Sequence, residues 1–189
     1  MPISVIQAQE IIIKSEQIRS PKDVNTALDN MAKAITADLG GLDPVILVVM
    51  NGALIPAGHL LTRLNFPFQI GYLHATRYNG ETLGRELHWI AKPSLNVKDK
   101  VVLVVDDIFD EGTTLKAVIE DLNGHGPTAV YCATLVNKIH DRKPAGFKVE
   151  YVGLEVPDRY VFGCGMDYNE YWRNLPGIWA IREDEMLNL

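Results

Sequence analysis

Asp106, Asp107, Asp110 and Glu111 place four carboxylates within six positions, and Gly112, Thr113 and Thr114 follow at once. Carboxylates so crowded repel one another, and each resists losing its water. Binding of sugar hydroxyls or of a hard cation is the chemistry that rewards such a crowd. Carboxylate oxygens accept hydrogen bonds, and Mg²⁺ prefers oxygen ligands. Gly112 permits unusual backbone angles, and Thr113 and Thr114 offer hydroxyls beside the free amides of a first helical turn. Such a turn is a ready anion site, suited to a phosphate. A phosphate cradle beside a diol-binding acidic pair describes a site for ribose 5-phosphate. The bland alternative is a solvated turn whose acids answer the helix dipole; it suits one acid better than four after an apolar strand. Neither GxxxxGK[ST] nor GxGxxG occurs, so nucleoside triphosphate and dinucleotide loops fit poorly.

The elements that must position these groups show in the hydrophobic pattern. Residues 21 to 39 carry Val24, Leu28, Met31, Ala32 and Ile35 at helical spacing, with Pro21 at the start and Gly40-Gly41 at the end. "PVILVVM" at 44 to 50 has no polar alternation, as in a strand buried on both faces. A helical stretch, "GALIPAGHLLTRL", follows it. Strands are predicted at 67 to 75, 100 to 105 and 128 to 138, with a helix over "TTLKAVIEDLN". Alternating strands and helices predict an α/β fold with a parallel sheet, which binds ligands beyond the carboxyl ends of its strands. "MNGA" at 50 to 53, "DDIFDEGTT" at 106 to 114 and "NK" at 137 to 138 all fall there. "TRYNGETLGRELHW" is too polar to pack and reads as a mobile loop or hairpin. Beyond residue 145 the strands shorten and aromatic turns take over.

The totals narrow the setting. At 189 residues, 47% hydrophobic and 22% charged, the chain is sized for one soluble domain, residues 1–189. A formal charge of −6 argues against nucleic acid or an anionic membrane as partner. Cys132 and Cys164 sit in apolar stretches without CxxC spacing and read as free thiols. The N-terminus lacks a basic region and carries Glu10 in its apolar part, unlike a secretory leader, so a cytoplasmic protein is expected. The five histidines, at 59, 74, 88, 125 and 140, lack ligand spacing such as HExxH, and none is assigned a role.

"VVLVVDDIFDEGTTL" resembles the phosphoribosyl pyrophosphate motif of type I phosphoribosyltransferases. "LVNK" with "VGLEVPDRYVFGCGMDYNEYWRNLP" resembles the base-binding half of the hypoxanthine-guanine members, and the likeness runs from about residue 44 to 182. It implies a mainly parallel central sheet flanked by helices (core about 21–145). It also implies a small hood formed largely by the C-terminal part, about 146–189, with the N-terminal residues. The implied reaction moves 5-phosphoribosyl from phosphoribosyl pyrophosphate to hypoxanthine or guanine with Mg²⁺, in a homo-oligomer, dimer or tetramer.

By the same resemblance Asp110 is the general base facing purine N7. Asp106, Asp107, Asp110, Glu111, Gly112, Thr113 and Thr114 bind ribose and 5′-phosphate. Lys138, which alone would read as a snorkelling surface lysine, donates to the 6-oxo group. Tyr160 stacks on the base, Val161 reads its edge through backbone, and Asp167 lies beside it. Asp106, Asp107 and Asp167 hold metal. Asn51, where many relatives carry Lys, contacts pyrophosphate with Gly52 and Arg173. Arg77 and Tyr78, where many relatives have Ser-Tyr, belong to a mobile loop that closes over the reaction. Two rivals remain. A nucleotide-sensing regulator of this fold would bind RNA or DNA, which the charge disfavours. An aspartyl phosphatase would want Asp-x-Asp rather than Asp107-x-x-Asp110.

Overall fold

The computed structural model describes residues 3–77, 87–93 and 95–186. Helix α1 (Val5–Ile13) and strand β1 (Ser15–Arg19) lead into α2 (Pro21–Leu39), β2 (Val45–Val49), α3 (Leu54–Leu61), β3 (Gln69–Arg77) and β4 (Leu87–Ala91). Then come β5 (Val101–Phe109), α4 (Thr113–Asn123), β6 (Ala129–Lys138) and β7 (Tyr151–Val156). Two short strands, β8 (Val161–Phe162) and β9 (Ile178–Ile181), and α5 (Glu183–Met186) close the chain. Among the described residues no helix is long and apolar enough to cross a membrane.

Six strands form one sheet in the order β4-β3-β2-β5-β6-β7. All its neighbours run parallel except β4, which is antiparallel to β3. From β2 the chain moves one way along the sheet, and from β5 the other. Right-handed crossovers therefore set α3 and α4 on opposite faces. Every residue of β2 is buried, as its unbroken apolar run requires. α2 is built as its sequence dictates. The Ser20 hydroxyl accepts the Asp23 N–H, the Asp23 carboxylate accepts the Ser20 N–H at 2.8 Å, and Pro21 sets the first turn. Its buried stripe includes Val24, Leu28, Met31, Ile35 and Leu39. Across the sheet edge the Tyr151 hydroxyl donates to Asp38 at 3.0 Å.

β1, β9 and β8 form a separate antiparallel sheet, the hood. It joins the N-terminal strand to the C-terminal ones, and its own core is small: Ile11, Phe162 and Ile181. β7 belongs to the large sheet, so the hood begins later in the chain than the pattern change at 145 suggests. Between β8 and β9 the backbone turns through positive φ at Gly163, Cys164, Gly165, Asn169, Glu170 and Trp172, which is why no period is readable there. The Trp172 indole N–H donates to the Ala8 carbonyl at 2.6 Å and ties this loop to α1. α1 is the element no pattern announces: Val5, Ile6 and Ile13 are exposed, and only Ala8 and Ile11 are buried.

Ile35 is completely buried between α2 and the sheet. Ile35→Ala should remove about 2–5 kcal/mol of stability and lower Tm by at least about 4 °C in a domain of this size. Lys22→Ala, on the exposed side of the same helix, should leave Tm within about 2 °C. Thermal denaturation of both variants measures the contrast.

Candidate active site

The direction of strand addition reverses between β2 and β5, and a ligand crevice opens beyond their carboxyl ends. The loop after β2 and the acids of β5 meet there. A Cβ on Gly52 would stand 2.1 Å from Asp107 Oδ2, so only glycine lets the two approach. The Met50–Asn51 peptide is cis. From the hood, Gly165 packs on the Gly52 carbonyl oxygen, where a Cβ would sit 2.1 Å away. Three distant segments thus converge at one point.

β5 is longer than its apolar run. Asp106, Ile108 and Phe109 stay in register with Thr134, Val136 and Asn137 of β6. Asp106 and Asp107 therefore lie inside the strand rather than after it, because ladder pairing overrides the polarity of two residues. Each carboxylate accepts the next backbone N–H: Asp107 donates to Asp106 Oδ1 at 2.9 Å, and Ile108 to Asp107 Oδ1 at 2.8 Å. Burial, then the charge of Asp107, pushes the Asp106 carboxyl well above the usual carboxylate range. Burial also raises Asp107. The pair is short of positive charge and rich in oxygen, which fits a hard cation or a diol.

After β5 the chain turns at Gly112, whose φ of 69° and contact with the Phe109 ring exclude a side chain. α4 starts at Thr113, and no side chain caps it. Its first-turn amides are oriented as in an anion site. A cavity of about 350 Å³ covers this turn, lined by Asp106, Asp110, Glu111, Gly112, Thr113 and Thr114, with Arg142 on its rim.

A second cavity of about 220 Å³ adjoins it, lined by Asp107, Asp110, Lys138, Tyr160, Val161 and Asp167. Ile108 and Asp110 belong to both walls. Lys138 is buried and donates through Nζ to Asp110 Oδ2 at 2.5 Å. His140 Nε2 meets Asp110 Oδ1 at 2.7 Å. Burial pushes the Asp110 carboxyl up, but the bonds from Lys138 and His140 outweigh it and hold the group below its ordinary value. Lys143 closes the turn behind them: Nζ donates to Asn137 Oδ1 and to the Lys138 carbonyl, both at 2.5 Å, and lies 4.5 Å from the Phe109 ring centre.

In the hood, Val161 is buried and Tyr160 is 46% exposed, edge-on to Tyr168 at 5.3 Å. An aromatic face that open is available to a flat ligand. Asp167 is engaged on both oxygens, by Arg173 Nη2 at 2.7 Å and by the Glu170 N–H at 2.8 Å. Arg173 also donates to the Gly165 carbonyl at 2.8 Å, so it braces the hood loop while facing the acidic pair.

Asp106, Asp107 and Asp167 do not gather within ligating distance of one another. Among the described residues the one such trio is Asp110, His140 and Asp158. Both Asp158 oxygens already accept from Arg142, at 2.7 and 2.8 Å, and Asp110 is held by Lys138. That trio is neutralised by protein cations and fits a metal poorly. Tyr78 lies outside the described residues, and Arg77 ends β3 opposite Leu87. The residue that spacing rules pass over is His140. It sits two positions beyond Lys138, in the bend just past the end of β6, and from there it reaches the same carboxylate as Lys138. A larger cavity of about 450 Å³ beside Lys92, Lys98, Asp121 and His125 carries no comparable cluster.

This strand order, with an acidic pair at the switch point and an uncapped helix start, defines the phosphoribosyltransferase class of α/β folds. A family model described as a phosphoribosyl transferase domain matches residues 14–170, and the chain belongs to that family. A hypoxanthine-guanine phosphoribosyltransferase from Staphylococcus epidermidis is 30% identical over 166 residues, covering 87% of this chain and 92% of the relative. One from Staphylococcus aureus is 29% identical over 174 residues, covering 92% and 97%. The crystal structure of a hypoxanthine-guanine phosphoribosyltransferase from Bacillus anthracis superposes with a TM-score of 0.81 at 28% identity, over 88% of this chain and 98% of that one. A hypoxanthine phosphoribosyltransferase from Staphylococcus aureus gives 0.84 at 26% identity, over 96% and 97%.

A carboxyl raised by burial disfavours the folded state once pH exceeds its unfolded pKa, and that penalty grows until the folded pKa is passed. The ligand-free protein should therefore lose stability as pH climbs from the ordinary carboxylate range toward the raised value of Asp106. Asp106→Asn should flatten that slope and raise Tm at neutral pH by roughly 2–4 °C, the shift that about 1 kcal/mol makes in a domain of this size. Calorimetry between pH 5 and pH 8 reads both effects; a lower Tm in the variant contradicts the account.

Proposed function

We propose that the chain is a purine-salvage enzyme that transfers 5-phosphoribosyl from phosphoribosyl pyrophosphate to hypoxanthine and guanine, releasing pyrophosphate. One observation carries the reading: Asp110 stands in the wall between a polar cavity at a helix start and a smaller cavity under an exposed tyrosine. A group placed so can touch a sugar on one side and a flat base on the other.

The first-turn amides of α4, with the Thr113 and Thr114 hydroxyls and the backbone of Glu111 and Gly112, take the 5′-phosphate. Asp106 and Asp107 accept the ribose hydroxyls. Purine N9 attacks C1′ as the bond to pyrophosphate breaks, and positive charge builds on the sugar as in glycoside transfer. Asp110, ionised because its partners keep its pKa low, takes the proton leaving N7. Lys138 donates to the 6-oxo group; adenine, with an amino group there, would leave the ammonium badly paired. Tyr160 covers the base, and the Val161 backbone reads its edge.

Asn51 and Gly52 offer backbone amides to pyrophosphate without the side-chain charge that Lys would add. Arg173 reaches the same group only by leaving Asp167. Mg²⁺ at Asp106 and Asp107 would neutralise charge on the leaving pyrophosphate, and Asp167 would serve a separate cation only after releasing Arg173.

Two free buried thiols suit a reducing, cytoplasmic setting. Ile70, Tyr72 and Ile90 leave an apolar face on β3 and β4 uncovered, which favours a homo-oligomer. A product assay with hypoxanthine, guanine, xanthine and adenine tests the reading. Nucleotide should form from the first two with Mg²⁺, little from adenine, and none after chelation. Asp110→Asn should cut kcat by about 10²–10⁴-fold while nucleoside monophosphate still binds. Near-normal turnover in that variant removes Asp110 from the base role.

A further inference from the structure

We infer that His140 is a positioning residue for Asp110: its ring N–H holds one carboxylate oxygen and keeps holding it when Lys138 turns to the purine. The inference rests on the function proposed above, with Asp110 as base. Lys138 and His140 leave the end of β6 on the same side and each takes a different oxygen of Asp110. The Lys138 ammonium has two claimants in that reading, the carboxylate and the 6-oxo oxygen. Binding of the base draws Lys138 from Oδ2 and frees that oxygen to meet the N7 proton. His140 is then the remaining donor that keeps the carboxylate from rotating.

The tautomer is fixed by the backbone. The Arg142 N–H donates to His140 Nδ1 at 3.1 Å, so the ring carries its proton on Nε2 and donates to Oδ1. A proton collected by Asp110 has nowhere to go on this ring, because Nε2 is occupied by hydrogen and Nδ1 by the amide. His140 orients the base and does not relay. The His140 side chain is only 4% exposed, against 40% for Asp110, so water competes weakly for the bond.

The charged groups around the pair are Lys138 from β6, Arg142 and Lys143 from the turn after it, Asp158 from the β7–β8 connection, and Glu111 from the turn before α4. Arg142 and Asp158 pair with each other through two hydrogen bonds, and this pins the amide that fixes the ring. The device is therefore a histidine locked by a surface ion pair and aimed at the base.

The test compares the full-length protein with His140→Ala and His140→Gln in steady-state assays of hypoxanthine across pH. Gln can place an amide N–H near the position of Nε2. His140→Ala should lose kcat by about tenfold with little change in purine KM, because the bond matters once the base is bound. The acid limb of its pH profile should move up by roughly half to one unit, since a carboxylate that loses a donor titrates higher. Gln should restore much of kcat and return the limb toward wild type. Ala with kcat within twofold of wild type and an unmoved limb overturns the inference. So does an equal rise in KM and fall in stability without a pH shift, the mark of a packing residue alone. If wild type itself makes no nucleotide, the enzymatic reading fails first. A measurement on wild type stands independent of variant folding: ¹⁵N-histidine spectra should show His140 as the Nε2–H tautomer, and an Nδ1–H ring overturns the assignment.

Discussion

Three carboxylates at one strand's end are partly dehydrated in opposite ways, and the site depends on that opposition. Asp106 and Asp107 have backbone amides and each other, and their pKa values rise. Asp110, three residues on, has an ammonium and an imidazole, and its value falls. Environments that drive like groups apart allow different chemistry at one pH. The raised pair is underpaired and gains by meeting a cation or a diol. The lowered acid is held ionised by its protein partners, as the proposed base role requires. Exchanging their surroundings would leave composition unchanged and remove the function.

The scaffold exists to bring these groups within a few ångströms while keeping the strand paired. β5 runs four residues past its apolar core because β6 continues beside it. Gly52 and Gly165 remove the side chains that would separate β2, β5 and the hood. The hood has three buried core residues of its own, too few to fold alone. It is held by β1 from the N-terminus, by the Trp172–Ala8 bond and by its seat on Gly52. Its other buried residues, Val161, Cys164, Met166, Ile178 and Ala180, pack into the main core, and Tyr160 stays open over the smaller cavity.

Much of the scaffold is readable in the residues because local and tertiary preferences agree there. α2 spans 21–39 and α4 spans 113–123, with the bounds that periodicity and caps predict. β2, β3 and β6 stand close to the strands expected at 44–50, 67–75 and 128–138, while β7 joins the large sheet from the segment assigned to the hood. Disagreement between levels hides the rest. "SEQIR" has no strand pattern and becomes β1 only by pairing with β9. The acids of β5 break its apolar run, so periodicity ends the strand at Val105 while the ladder carries it to Phe109. Phosphate and diol chemistry follows from residue types at 106–114. The choice of Asp110 over its neighbours does not, because its distinguishing partners are 28 and 30 residues away.

The Asp110 cluster also explains why a metal-ligand trio can be a poor metal site. Asp110, His140 and Asp158 satisfy a distance rule, yet Lys138 and Arg142 already supply the positive charge that an ion would bring. Placing a divalent cation there would set it against the Lys138 ammonium at the shared carboxylate, while the nearby acids Asp158 and Glu111 are already paired with Arg142. At Asp106 and Asp107 the balance is reversed: two acids, burial, and Arg173 as the nearby cation, itself committed to Asp167. Charge balance separates the two acidic groups into a carboxylate already held by protein cations and an underpaired pair suited to a cation or a diol. Distances alone would have ranked them the other way.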